Sequence, residues 1–195
     1  MLLLDRPRAA EAAMPMTLDE YLALPEDTRC EIVDVVPRPM VRPNKVHREV
    51  QRQLANALER ACPSELAVFE EEVVTISASP AHARISDVMV CRAADPTGRR
   101  NHTVAADVLL IVEVVSPNTQ TADRYEKPGE YARAGIPAFW RIELEPEIVV
   151  WTHRLLDRVY HDQGRFGLGE RLEDPALPWF AVDVSDLLGR FAPTE

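Results

Sequence analysis

The run Ala106-Asp-Val-Leu-Leu-Ile-Val-Glu-Val-Val-Ser-Pro117 limits the fold more than any other stretch of this chain. Seven of the eight residues from Val108 to Val115 are apolar and β-favouring, which is too continuous for a strand with one wet face. Such a run reads as a strand buried on both faces. The eighth residue is Glu113. A carboxylate inside a buried strand is costly unless it is compensated, so a cation, a metal ion or an opening to water must stand beside it.

At 195 residues the chain is long enough for one domain with a sizeable core and short for two. We read residues 1–15, which hold two prolines and no sustained pattern, as a loosely ordered N-terminal tail, and 16–195 as a single domain. No apolar run approaches the roughly 20 residues that span a bilayer, and the opening Met1-Leu-Leu-Leu-Asp5 is too short for a signal peptide. A cytoplasmic protein without a membrane partner is expected. Cys30, Cys62 and Cys91 are odd in number and far apart, so they form neither a disulfide framework nor a CxxC metal pair.

The net charge of -10 opposes strong non-specific attraction to nucleic acid. One local exception stands out: Arg38, Arg42, Lys45, Arg48 and Arg52 face a single nearby carboxylate, Glu49. Of 22 basic residues only Lys45 and Lys127 are lysines, which draws attention to places where a compact amine with an adjustable pKa is useful.

Taken in order, Thr17-Leu-Asp-Glu20 is a capping box that starts a short helix. Cys30 to Val36 and Arg38 to Val41 predict two short edge strands around Pro37, with Glu31 at the start. Apolar residues at 46, 50, 54, 57, 58 and 61 predict a helix over 46–61, with His47 in its first turn as a surface or capping residue. Leu66 to Ser77 and Arg84 to Arg92 predict strands, the second enclosing Asp87, and 93–103 a loop. After the strand of Glu113, a helix is expected from Pro128 to Gly135. Asp123, Lys127 and Tyr131 would share one face, although Pro128 argues against smooth helix through Lys127. Strands follow at 137–144, 147–153 and 158–162, then a turn over Gly164–Gly169 and a closing helix over 184–191.

Asp87 and Glu113 are two carboxylates in apolar strands that could be neighbours in one sheet. With a backbone carbonyl such as that of Val114 they suit a hard octahedral cation that keeps several waters. A lysine nearby could orient an attacking water or stabilise developing charge. The same residues also suit a buried acid–lysine pairing that fixes strand order without catalysis.

The ordered set Thr17-Leu-Asp-Glu-Tyr21, Glu31-Ile-Val-Asp34, His47, Ser86-Asp87-Val88, Glu113-Val-Val-Ser-Pro117, Asp123-Arg-Tyr-Glu-Lys127, Tyr131 and Ala134-Gly-Ile-Pro-Ala-Phe-Trp140 resembles a large bacterial family of restriction-endonuclease-like proteins. That family lies within the PD-(D/E)XK nuclease superfamily. The resemblance implies an α/β restriction-endonuclease-like core, a mixed central β-sheet flanked by helices. It implies a metal-dependent DNA endonuclease in which Asp87 and Glu113, with the Val114 carbonyl, bind Mg²⁺ or Mn²⁺. Lys127 would stand in for the lysine that the superfamily usually places two residues after the glutamate, a position held here by Val115. Glu31 would be the additional acid, Asp123 and Tyr131 would support the site, and His47, Arg42, Lys45 and Arg48 would contact phosphate. A homodimer would let the protein reach both strands of DNA. Two departures stand out: Ser86 replaces the proline before the aspartate, and Asp34-Val-Val36 lacks a glycine after Asp34. Other readings are a non-catalytic nuclease-fold scaffold and a nuclease acting on RNA.

Overall fold

The computed structural model describes residues 14–25, 28, 30–93, 100–117 and 119–192. The expected tail, apart from Met14 and Pro15, and the middle of the 93–103 loop lie outside the described residues. Thr17 caps helix α1 (Leu18–Leu22): its hydroxyl accepts the Glu20 N–H at 3.3 Å while Glu20 takes the Thr17 N–H at 2.8 Å. Strands β1 (Cys30–Val33) and β2 (Val36–Pro39) form a hairpin turned by Asp34 and Val35, both left-handed at φ 47° and 66°. Pro37 therefore lies inside β2 instead of in the turn expected around it. Because β2 is the last strand of the sheet on that side, the missing N–H costs no ladder bond there. Asn44 caps helix α2 (Lys45–Ala61), its Oδ1 accepting the His47 N–H at 2.9 Å. A long hairpin of β3 (Leu66–Ala78) and β4 (Ala81–Arg92) follows, then β5 (Thr103–Val104) and β6 (Val108–Val114).

The segment after β6 departs from expectation. Lys127 is fully helical, at φ -57° and ψ -45°, and opens helix α3 (Lys127–Ala134) straight out of a π-helical turn, Ala122–Glu126. A π turn widens the backbone ring, which makes room for Pro128, and a proline in the first turn of an α-helix lacks a donor that would be unpaired anyway. Asp123, Lys127 and Tyr131 all come out buried. Gly135 ends α3 in the left-handed region, at φ 85°.

Strands β7 (Ala138–Glu143), β8 (Val149–Leu156) and β9 (Val159–Phe166) complete the large sheet. β9 continues through Gly164, where the sequence predicts a turn. The Phe166 ring covers this glycine so closely that a Cβ there would stand 2.6 Å from it. β10 (Arg171–Glu173) and β11 (Ala181–Asp183) form a small separate ribbon. The closing segment Val184–Phe191 is 3₁₀ and not α, interrupted at Gly189.

The sheet is mixed, in the order β2-β1-β4-β6-β7-β8-β9, with β3 along β4 and β5 along β3. β6 and β7 are parallel, as are β3 and β5, and every other pair is antiparallel. On one face α2 sends Val50, Leu54 and Leu58 against Val88, Leu110, Val112 and Trp140. On the other, Tyr131 and Ile136 pack with Met89, Ile111 and Phe139. Coverage on both faces explains why β6 has no polar alternation.

β4 is paired along one edge by β3 for its whole length. Its other edge is divided. β1 meets it at Ala83, through Ile32, and β6 meets it only from Val88 onward, through Val112. Between them, Arg84 to Asp87 face a notch in the sheet.

Candidate active site

Backbone groups facing this notch have no strand partner, and side chains take the strands' place. The Ile85 N–H donates to Glu31 Oε1 at 3.1 Å, and the Ile85 carbonyl accepts from Lys127 Nζ at 3.3 Å. The Val114 N–H, just beyond the β4–β6 pairing, donates to Asp87 Oδ2 at 2.7 Å. Extending the Val88–Val112 register by one residue puts Asp87 across from Glu113. Glu31, from β1, thus enters from one side of the gap and Glu113 from the other.

Glu113 is 1% exposed. Its Oε2 accepts from Lys127 Nζ at 2.8 Å and its Oε1 from the Tyr131 hydroxyl at 2.6 Å. The same amine lies 3.4 Å from Glu31 and 3.4 Å from Asp123. Burial pushes the Glu113 carboxyl well above the usual carboxylate range; Lys127 opposes this, and the charges of Asp123 and Asp87 add to it. Burial also works against a charged Lys127, but Glu113, Glu31, Asp123 and Asp87 outweigh it and hold the ammonium firmly protonated. Tyr131, buried beside the same acids, is raised well above an ordinary phenol and stays a donor.

Four carboxylates therefore gather round one ammonium, and the negative charge is in excess. That surplus and the all-oxygen donor set suit a hard cation. Among the described residues no three His, Cys, Asp or Glu side chains converge into a ready cage. A cation held by Asp87, Glu113 and a backbone carbonyl would thus retain several waters, as Mg²⁺ does.

His47 is not the surface residue its helix-start position predicts. It is 4% exposed, with Nε2 3.1 Å from Asp87 Oδ1 and a buried Nδ1 that has no hydrogen-bond partner among the described residues. Asn44 sets its backbone by capping α2, so the helix start aims the imidazole at Asp87. Lys45 and Arg48 instead line an open groove of about 610 Å³ with Arg52 and Arg190. Glu70 and Glu71 of β3 line the same groove. Arg42 is exposed and lies off this groove.

Sequence reasoning missed Arg84. It is 1% exposed and makes a two-pronged bond to Glu130, at 2.7 and 2.8 Å, and another to Glu31 Oε2 at 2.7 Å. His82 continues the chain, between Glu130 at 3.1 Å and Asp34 at 3.2 Å. Burial would raise the Glu31 carboxyl, but the charges of Lys127 and Arg84 bring it below its ordinary range. An arginine at the start of an alternating strand is an ordinary surface feature, so only the burial on both sides of β4 could have singled it out.

A family model described as "Putative restriction endonuclease", Uma2, matches residues 18–185 and so takes in Glu31, His47, Arg84, Asp87, Glu113, Asp123, Lys127 and Tyr131. The chain belongs to the Uma2 family. No curated protein matches the sequence. Among solved structures, a "putative nuclease belonging to DUF820" from Anabaena variabilis superposes with a TM-score of 0.70. It shares 18% sequence identity, over 91% of this chain and 99% of that one. At that identity the likeness is one of fold: this Uma2 protein has the α/β restriction-endonuclease-like core expected of it.

Proposed function

We propose that this Uma2 protein is a metal-dependent endonuclease that hydrolyses DNA phosphodiester bonds. One observation carries the reading: at the notch, Glu31, Asp87, Glu113 and Asp123 surround Lys127 and leave negative charge uncompensated. Asp87 and Glu113, with the Val114 carbonyl, would hold Mg²⁺ or Mn²⁺. Bound there, the ion polarises a phosphate oxygen and lowers the pKa of a coordinated water.

The remaining work falls to the chain's own groups. Lys127 opposes the burial that favours the protonated form of Glu113, and it offers N–H donors to a water or a phosphate oxygen at the notch. Tyr131 fixes the other oxygen of Glu113, and the Val114 N–H and His47 fix both oxygens of Asp87. Rigid carboxylates at set positions are what a metal-assisted displacement requires. Glu31 and Asp123 supply further charge around the amine. Lys45 and Arg48 contact phosphates along the groove, and a two-fold homodimer would present one notch to each strand of a duplex.

The test is Mn²⁺ titration by calorimetry of the wild type, Asp87→Ala and Glu113→Ala, followed by nicking of supercoiled plasmid. The wild type should bind and both variants should lose binding while remaining folded. Lys127→Ala should lower the nicking rate about 100-fold or more. Absence of binding, even with a short DNA duplex present, would sink the reading in favour of a non-catalytic scaffold. Cleavage of RNA but not DNA would change the substrate.

A further inference from the structure

Lys127 has a choice of partners, and its position records which of them prevails. Its amine sits 2.8 Å from Glu113 but 3.4 Å from Glu31, although both carboxylates are buried. Nothing in the chemistry of the two acids makes the amine prefer one. The difference lies in what else holds them. Both oxygens of Glu31 are occupied from the β4 side, Oε2 by Arg84 Nη1 at 2.7 Å and Oε1 by the Ile85 N–H at 3.1 Å. A carboxylate already gripped by a guanidinium and an amide offers less to a second cation.

Arg84 also holds the element that carries the amine. Its Nε and Nη2 bind both oxygens of Glu130, which lies on α3 nearly one turn beyond Lys127 and next to Tyr131. A planar fork bound in this two-pronged way fixes direction as well as distance, which a lysine in its place could not do. One side chain thus anchors Glu31 on β1, Glu130 on α3 and its own strand β4.

We propose that Arg84 is a positioning residue for Lys127: by retaining Glu31 and anchoring α3 it keeps the amine on Glu113. The relevance of this to catalysis rests on the nuclease reading above, but the placement of the amine does not. Without Arg84, Glu31 keeps the Ile85 N–H but loses its guanidinium partner, and Lys127 is drawn off Glu113 toward it.

The chain's composition supplies a direct probe. Lys127 is one of only two lysines, and the other, Lys45, is exposed. In protein labelled with ¹³C at the lysine ε-carbon, two signals appear, and a Lys45→Arg variant assigns them. Arg84→Met alone would leave Glu130 with His82 as its remaining partner, so the cation and that anion are removed together in Arg84→Met/Glu130→Gln. In this variant the Lys127 signal should shift. Adding Glu31→Gln, which removes the competing anion, should return it toward the wild-type position. A side chain needed only for folding would lower the melting temperature and would show no such rescue. With plasmid DNA, the Arg84→Met/Glu130→Gln variant should lose about 100-fold in kcat with KM little changed, the usual scale for a misplaced catalytic group.

An unmoved Lys127 signal in the folded double variant overturns the proposal, and so does a shifted signal that Glu31→Gln fails to restore. If the wild type nicks no nucleic acid, the nuclease reading fails, and the lysine signal still decides what Arg84 does.

Discussion

A single charged residue in an apolar run is the clearest statement this sequence makes, and Glu113 shows why. Its burial cost must be met locally, so the chemistry of the run alone requires partners, and Lys127 and Tyr131 are those partners. Asp87, within its β-favouring run, carries the same kind of signal, whereas Asp123 stands in a polar stretch and is marked only by its spacing from Lys127 and Tyr131. Arg84, His82 and Glu130 carry none, because an arginine at a strand start and a glutamate on a helix are ordinary until three-dimensional burial is known. Their ion pairs nonetheless predict a pH dependence. The Glu130 carboxyl falls from 4.5 to about 2: burial opposes this, but bonds from His82 and Arg84 and their charges prevail. Its contribution to stability is therefore complete above pH 4.5 and is lost as the pH falls toward 2. His82 is raised above 6.5, chiefly by its bond to Glu130, so its contribution is complete below 6.5 and is lost as the pH rises through the raised value. Urea unfolding of the wild type and Glu130→Gln between pH 2 and pH 7 should show the acid limb flattened in the variant. The loss at stake is about 3 kcal/mol, the distance from 4.5 to about 2 at roughly 1.36 kcal/mol per pH unit. An unchanged acid limb would mean that Glu130 does not contribute to it.

At the level of elements, periodicity located the helices and strands wherever one residue type repeats on one face. It fails where a single proline or glycine reads as a boundary. Pro37 sits within an edge strand, Pro128 within the first turn of α3, and Gly164 under the Phe166 ring in β9. In each case the expected break is absorbed by a neighbour: an unpaired edge, a π turn, an aromatic cover. Helix α2 shows the opposite, a boundary that reaches the candidate site. Asn44 caps it by accepting the His47 N–H, and His47 in turn reaches Asp87. Asn44→Ala should therefore cost about 1 kcal/mol of stability, and Asn44→Asp or Asn44→Ser should keep most of it. Because the capped residue is the one that touches Asp87, Asn44→Ala should also weaken Mn²⁺ binding, whereas replacing an exposed residue farther along the helix should not. Calorimetry on Asn44→Ala beside Asn44→Asp separates the two effects. Equal Mn²⁺ affinity in both would show that the cap serves the helix alone.

For the molecule as a whole, strand order was the part that sequence could not supply. Nothing local says that β1 and β6 share one edge of β4 and stop short of each other, yet that gap is what brings Glu31, Asp87 and Glu113 together. Long-range pairing made the site; local pattern made its walls. Charge distribution is likewise a property of the whole. A net charge of -10 repels a polyanion, so on the nuclease reading binding depends on a small local surface, for which the groove lined by Lys45 and Arg48 is the candidate. Its cations are Lys45, Arg48, Arg52 and Arg190, but Glu49, Glu70 and Glu71 line the same groove, and Glu49 already pairs with Arg52 and Arg190. At most four phosphates can therefore be neutralised there, and Lys45 and Arg48 are the pair not engaged by Glu49 in this way. Each neutralised phosphate adds about 0.9 to the slope of log affinity against log salt, so the slope should be no steeper than about -4. Over a fourfold rise in salt, affinity should then fall by roughly 100-fold and not by the larger factors of basic DNA-binding proteins. Lys45→Gln/Arg48→Gln should flatten the slope by about 2, as measured by fluorescence anisotropy with a short duplex. A steep slope that survives this double substitution would place the binding surface elsewhere. A slope near zero in the wild type would mean that phosphate neutralisation is not how this protein holds nucleic acid.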